Sequence, residues 1–190
     1  MKEHIRILGI DDSPFSFEDK NTEIVGALIR APNYIEAVMK SKIEVDGWDS
    51  TEQIERMIQK SRYRENISIV LLDGIALGGF NIVDIKKLNE SIEIPVASIT
   101  RKRPDLGSIE TALKKKFKDW KKRYELIIEN EIKTVETRHK PLYAQYVGMD
   151  FDKLKTLIRK STVRGALPEP IRVAHLIVTA IKKGESYGRA

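Results

Sequence analysis

Cysteine is absent from all 190 residues. Disulfides and thiolate metal centres are therefore excluded, and a cytoplasmic setting is the expectation. Long apolar runs are missing too. None approaches the ~18 residues that span a bilayer, so no membrane partner is expected. The opening stretch, MKEHIRILGID, turns charged too soon to read as a secretory leader. Histidine is scarce, at three residues, and His4 and His139 stand at no ligand spacing, which argues against zinc. His175 falls in an apolar helical stretch and reads as a packed histidine rather than a catalyst. Repeats, low-complexity tracts and long linkers are also lacking. One domain over 1–190, closed by a helical extension, is expected.

What is present is a soluble composition: 41% hydrophobic and 33% charged residues, enough to bury a substantial core. The net charge of +6 is concentrated rather than spread, because residues 101–140 hold 13 Lys/Arg against 7 Asp/Glu. A basic region over a neutral body suits a polyanionic partner. The run KKKFKDWKKR (114–123) reads first as a solvated helix face, with Phe117 and Trp120 turned inward. Gripping a nucleic-acid backbone is its alternative use.

Hydrophobic periodicity gives the element order. Strands are expected over 5–10, 23–30 and 34–47, joined by short polar turns that favour an antiparallel meander. A helix over 49–61 follows, capped by Asp49 or Ser50. The continuous apolar run SIVLLD (68–73) suits a central parallel strand. A helix over 80–91, a strand over 94–100 and a long helix over 105–132 capped by Asp105 come next. A short strand over 141–148 precedes helices at 150–162 and 169–184, the last with Pro170 in its first turn and Gly184 past its end. Three meandering strands followed by β-α crossover units give an α/β fold. The expectation is a ribonuclease H-like mixed sheet flanked by helices. A receiver-like signalling domain shares the acids near strand ends, yet receivers alternate strand and helix throughout.

In such a sheet the first and fourth strands are parallel neighbours. Their C-terminal ends share the edge where open α/β sheets bind ligands. Asp11 and Asp73, 62 positions apart in the chain, then face each other across one strand spacing of ~5 Å. Two carboxylates that close suit a hard divalent cation, Mg²⁺ or Mn²⁺. The third strand ends at the same edge in EVDGWDS, so Asp46, Asp49 or Glu52 can add a third carboxylate. Arg101 and Arg103 follow the fifth strand and suit neighbouring phosphates. A cation that activates water, flanked by guanidinium groups, is phosphodiester chemistry. The loop after Asp73 offers Gly74, Gly78 and Gly79 for close backbone approach, with Phe80 as a stacking platform and Asn81 beside it. The bland alternative is a glycine turn with Phe80 packed beneath a helix.

The segments GIDDSPF, EVDGWDSTEQI, LLDGIALGGFNIVDI, PVASITRKRPD and LPEPIRVAHLIVTAIKKGESYGRA together resemble the mainly archaeal endonuclease dU family, a relative of endonuclease V. That resemblance covers nearly the whole chain. It implies a ribonuclease H-like fold and magnesium-dependent cleavage of DNA near a deaminated base, notably deoxyuridine. It also implies metal-binding roles for Asp11, after the first strand, and for Asp73 in its DG motif. Endonuclease V carries a Glu after its third strand in a PGYLAFRE motif that this chain lacks, and Asp46 or Asp49 would stand in for it. The Pro-Tyr loop that endonuclease V wedges into its lesion has no counterpart. A non-catalytic nucleic-acid-binding protein of the same fold is the alternative function.

Overall fold

The computed structural model describes residues 5–16 and 18–186. His4 lies outside them. The chain opens with β1 (Arg6–Asp12), β2 (Asn21–Arg30) and β3 (Tyr34–Glu44), then α1 (Ser50–Gln59) and β4 (Ile69–Asp73). A small hairpin of β5 (Ala76–Leu77) and β6 (Asn81–Ile82) leads into α2 (Ile85–Ile92) and β7 (Val96–Thr100). The remainder is α3 (Leu106–Lys116), α4 (Trp120–Ile128), β8 (Lys133–Val135), β9 (Leu142–Val147), α5 (Phe151–Ser161) and α6 (Glu169–Lys183).

Seven strands form one sheet in the order β3-β2-β1-β4-β7-β9-β8. β1, β2 and β3 are an antiparallel meander. β4 and β7 run parallel to β1, and β9 returns antiparallel beside β7. The antiparallel β2 sets the chain apart from a receiver. The mixed topology is ribonuclease H-like.

β1 and β4 are apolar on both faces because both faces are covered. Leu8, Ile10, Val70 and Leu72 pack with residues of α1 and α2, whereas Ile7, Ile69 and Leu71 pack with residues of α5 and Ile171 of α6. Each such Ile or Leu, fully buried, is worth roughly 1.5–3 kcal/mol. α6 lies closest to β1 at Gly9, where a Cβ would meet the Pro170 carbonyl carbon at 2.1 Å. Only a residue without a side chain lets the two backbones approach this closely. Among the described residues no helix is long and apolar enough to cross a membrane.

Three elements depart from the sequence expectation. The helix expected over 80–91 starts only at Ile85, where Asp84 caps it by accepting from the Lys87 amide at 2.9 Å. Residues 81–82 pair with 76–77 instead. The helix expected over 105–132 breaks at Phe117, whose backbone is extended, and its last residues lead into β8. Neither Pro nor Gly marks that break. Its cause is tertiary: Phe117 packs edge-on against Phe80 with centroids 5.7 Å apart. Finally, β3 ends at Glu44, short of residue 47, because Asp46 adopts a left-handed backbone with φ 58°.

Candidate active site

Strand alternation decides which carboxylates meet. β1 continues through Asp12, so its last two residues point to opposite faces of the sheet. Ile7, Gly9 and Asp11 share the α6 face; Leu8, Ile10 and Asp12 share the other. In β4 the series Ile69, Leu71, Asp73 lies on the α6 face as well. The parallel register pairs Gly9 with Leu71 and Ile10 with Leu72, which carries Asp11 opposite Asp73.

A third group joins them from α6. His175 Nδ1 lies 2.7 Å from Asp11 Oδ2, and ligand atoms of Asp11, Asp73 and His175 all fall within 4.8 Å of one another. α6 aims His175 at this point because Ile171, one turn earlier, is buried against the sheet and Gly9 admits the helix. Arg172 grips Glu169 in a two-pronged ion pair of 2.7–3.0 Å that fixes the same turn.

The electrostatics are those of crowded acids. Burial, followed by the charge of Asp11, raises the Asp73 carboxyl to about 6, although Arg101 and His175 oppose the rise. Asp12 is raised to about 7, first by burial and then by Asp11, against a hydrogen bond from the Gly78 amide at 3.0 Å. His175 is raised by its hydrogen bond to Asp11. A divalent cation fits this set. Two carboxylates and one imidazole nitrogen are oxygen-rich ligands that suit Mn²⁺ or Mg²⁺, and a cation relieves the repulsion that now pushes protons onto the acids.

The other sequence candidates are placed elsewhere. Asp46 belongs to the loop scaffold: it accepts from the Phe80 amide at 2.9 Å and pairs with Lys116. Asp49 precedes α1 without capping it, accepting instead from the Glu44 amide at 3.0 Å and the Asn81 side chain at 2.7 Å. Neither joins the Asp11 group. Glu52 pairs with Arg56 at 2.6 Å, and the third group beside Asp11 and Asp73 is a histidine from the last helix. Asn81 is fully buried, its amide also held by Glu44 and Ser50. It is thus withheld from any ligand, since hydrogen bonds to the backbone satisfy it.

Gly78 and Gly79 turn the β5–β6 hairpin with φ of 54° and 88°, and a Cβ on Gly79 would strike Asp46 Oδ1 at 2.5 Å. Phe80 is half-buried against Phe117. Arg101 is exposed, yet its charge reaches both Asp73 and His175. Immediately beyond Asp73 a cavity of about 290 Å³ is lined by Gly74, Phe80, Thr100, Arg103, Tyr143 and Gln145.

Comparison with known proteins adds the relationships. The profile of the family described as Endonuclease dU matches residues 3–182. A UPF0215 protein of Methanothermobacter thermautotrophicus is 41% identical over 192 residues, covering all of this chain and 94% of that relative. The crystal structure of a protein of unknown function from Archaeoglobus fulgidus superposes with a TM-score of 0.82 at 33% identity, covering 93% of this chain and 98% of the other. Endonuclease V of Ciona intestinalis, bound to a 24mer DNA containing inosine, superposes with a TM-score of 0.60 at 14% identity, over 90% of this chain and 83% of that one. That last likeness is one of fold.

Proposed function

This chain belongs to the endonuclease dU family, and from that premise we propose that it is a divalent-metal-dependent endonuclease acting on nucleic-acid phosphodiesters, with DNA carrying deaminated bases as substrate. One observation carries the reading: Asp11, Asp73 and His175 converge within 4.8 Å at the C-terminal ends of adjacent parallel strands. Structural ion pairs do not need a buried and a half-buried carboxylate facing each other.

Asp11 and Asp73 would hold the cation, with His175 buttressing Asp11 through its Nδ1. When bound, Mg²⁺ or Mn²⁺ supplies charge stabilisation at the phosphate and a more acidic water. The rest falls to the chain. Asp11 orients the His175 ring through Nδ1 and keeps it basic, so His175 can hold a proton at the reacting phosphate. Arg101 and Arg103 supply guanidinium groups for the phosphates that flank the scissile one. The cavity beside Asp73, bounded by Gly74, Phe80 and Tyr143, receives a nucleobase turned out of its stack.

The test is a nicking assay on duplexes that carry a single deoxyuridine or deoxyinosine, with Mg²⁺, Mn²⁺ or EDTA. Metal-dependent cleavage that disappears in Asp11→Asn, with the fold intact, is expected. Tight binding with no cleavage under any metal would leave a binding protein of the same fold and overturn the nuclease.

A further inference from the structure

We propose that the α3–α4 corner, together with Trp48, forms the surface on which a single-stranded stretch of nucleic acid lies as it approaches the carboxylate site. The inference rests on the nucleic-acid reading above and names where the strand runs.

Charge comes first. Residues 114–123 hold seven Lys/Arg and one Asp, a net +6 that equals the net charge of the whole chain. Lys114, Lys115, Lys118, Lys121 and Lys122 are all exposed. Helices that merely need solvation pair their cations with acids one turn away, as Glu110 does with Lys114 at 2.7 Å. Here cations far outnumber such acids.

Aromatic rings accompany the charge. The chain has two tryptophans, and both sit in this corner. Trp48 is 37% exposed, with the Lys122 ammonium 4.7 Å and the Arg123 guanidinium 4.3 Å from its ring centroid. Trp120 carries Lys114 at 4.6 Å. An exposed ring, Trp48, with cations around it and the half-buried Trp120 beside it is what a strand with unpaired bases recognises: stacking for the base, ammonium groups for the phosphate.

The corner is rigidly connected to the site. Arg123, only 4% exposed, donates to the Phe80 carbonyl at 2.5 Å and the Gly47 carbonyl at 2.9 Å. The Trp48 indole donates to Asp119 at 2.7 Å. Asp46 ties Phe80 to Lys116, its amide donates to Gly78 at 2.8 Å, and Gly78 in turn donates to Asp12. An unbroken hydrogen-bonded path therefore runs from the residue beside Asp11 to the basic corner. A strand held on that corner is held in register with the carboxylates.

Tryptophan fluorescence tests this in EDTA, where cleavage cannot occur, with a short mixed-sequence single-stranded oligonucleotide as probe. In Trp120→Phe, which leaves Trp48 as the sole tryptophan, saturable quenching is expected. Trp48→Ala is expected to weaken binding about tenfold. The triple variant Lys118→Gln, Lys121→Gln, Lys122→Gln is expected to reduce the slope of log K against log salt by about 2 for single-stranded probe, near 0.7 for each phosphate no longer neutralised. Circular dichroism checks the fold. Should the triple variant misfold, Lys121→Gln alone is expected to reduce the slope by about 0.7. Absence of binding, binding without Trp48 quenching, or an unchanged salt slope in a folded lysine variant would each overturn the proposal. The nicking assay is read separately: cleavage without this surface, or this surface without cleavage, tells the two claims apart.

Discussion

The metal-free protein is expected to lose stability as pH rises from 5 to 8, and the crowding of its acids sets the amount. Asp12 and Asp73 titrate near 7 and 6 in the fold, against an ordinary 3.8. Raised values mean that the folded chain binds more protons than the unfolded chain. Their stabilising contribution is therefore complete below pH 3.8 and vanishes as pH passes through 6 and then 7. His175, also raised, acts in the same direction. At about 1.4 kcal/mol per pKa unit, the part of each shift that lies above pH 5 makes Asp73 worth roughly 1.4 kcal/mol and Asp12 roughly 3 over this window. Both respond to the same Asp11 charge, so the two do not add in full, and about 3 kcal/mol in all is expected between pH 5 and pH 8. Asp19, Asp105, Asp119 and Asp152, whose pKa values are lowered, titrate below this window and leave it clean.

For a chain of this size, 3 kcal/mol corresponds to roughly 8 °C in Tm. Thermal melts in EDTA at pH 5 and pH 8 measure it. Adding Mn²⁺ reverses the loss at pH 8 and does little at pH 5, because protons compete for the same oxygens. Asp12→Asn, which removes one of the three crowded charges, raises the metal-free Tm at pH 8. A metal-free Tm that is flat or climbs from pH 5 to 8, with equal Mn²⁺ shifts at both, would refute the convergence of these acids.

Three further outcomes follow from particular contacts. Gly9→Ala drives a methyl into the Pro170 and Ile171 backbone; urea melts are expected to show a loss of about 3 kcal/mol, and cleavage falls with it because α6 carries His175. Asn81→Ala strands the Ser50 amide and frees Asp49; it costs roughly 2–3 kcal/mol while cleavage per folded molecule, from active-site titration, is unchanged. His175→Gln keeps a hydrogen-bonding side chain beside Asp11 but no titratable one; cleavage is expected to fall 10²–10⁴-fold, and the alkaline limb of its pH profile to disappear.

Most of the framework is legible in the sequence because it rests on local patterns. Strand β4 announces itself as IVLLD, the caps Asp105 and Gly184 stand where propensity puts them, and short turns make the meander readable. Asp11 and Asp73 can be brought together on paper because parallel register and side-chain alternation are geometric rules. The break at Phe117 is not legible, since a helix former leaves the helix for a ring contact with Phe80, 37 positions away in the chain. Asp46 and Asp49 mislead for a related reason: acids after a strand look alike whether they face a cation or satisfy amides of a hairpin that only the fold brings near. His175 carries a faint signal, one turn beyond Ile171 on the face buried against β1. In sequence that face reads as core, and only the glycine opposite, Gly9, hints that something is meant to come close.

The two adjacent aspartates at the end of β1 therefore have divided duties. Pleating sends Asp11 to α6 and His175, and Asp12 to the Gly78 amide at the head of the loop network. One carboxylate faces the candidate cation site, and its neighbour anchors the loop that follows Asp73. Asp12 feels the charge of Asp11 through the strand. A cation bound by Asp11 would therefore also lower the proton affinity of Asp12 and strengthen its grip on Gly78. Occupancy of the site and order in the 74–82 loop are then linked by the same electrostatics: hydrogen exchange at the Gly78 amide is expected to slow when Mn²⁺ is added at pH 6.5. An exchange rate indifferent to the metal would mean that the two carboxylates act independently.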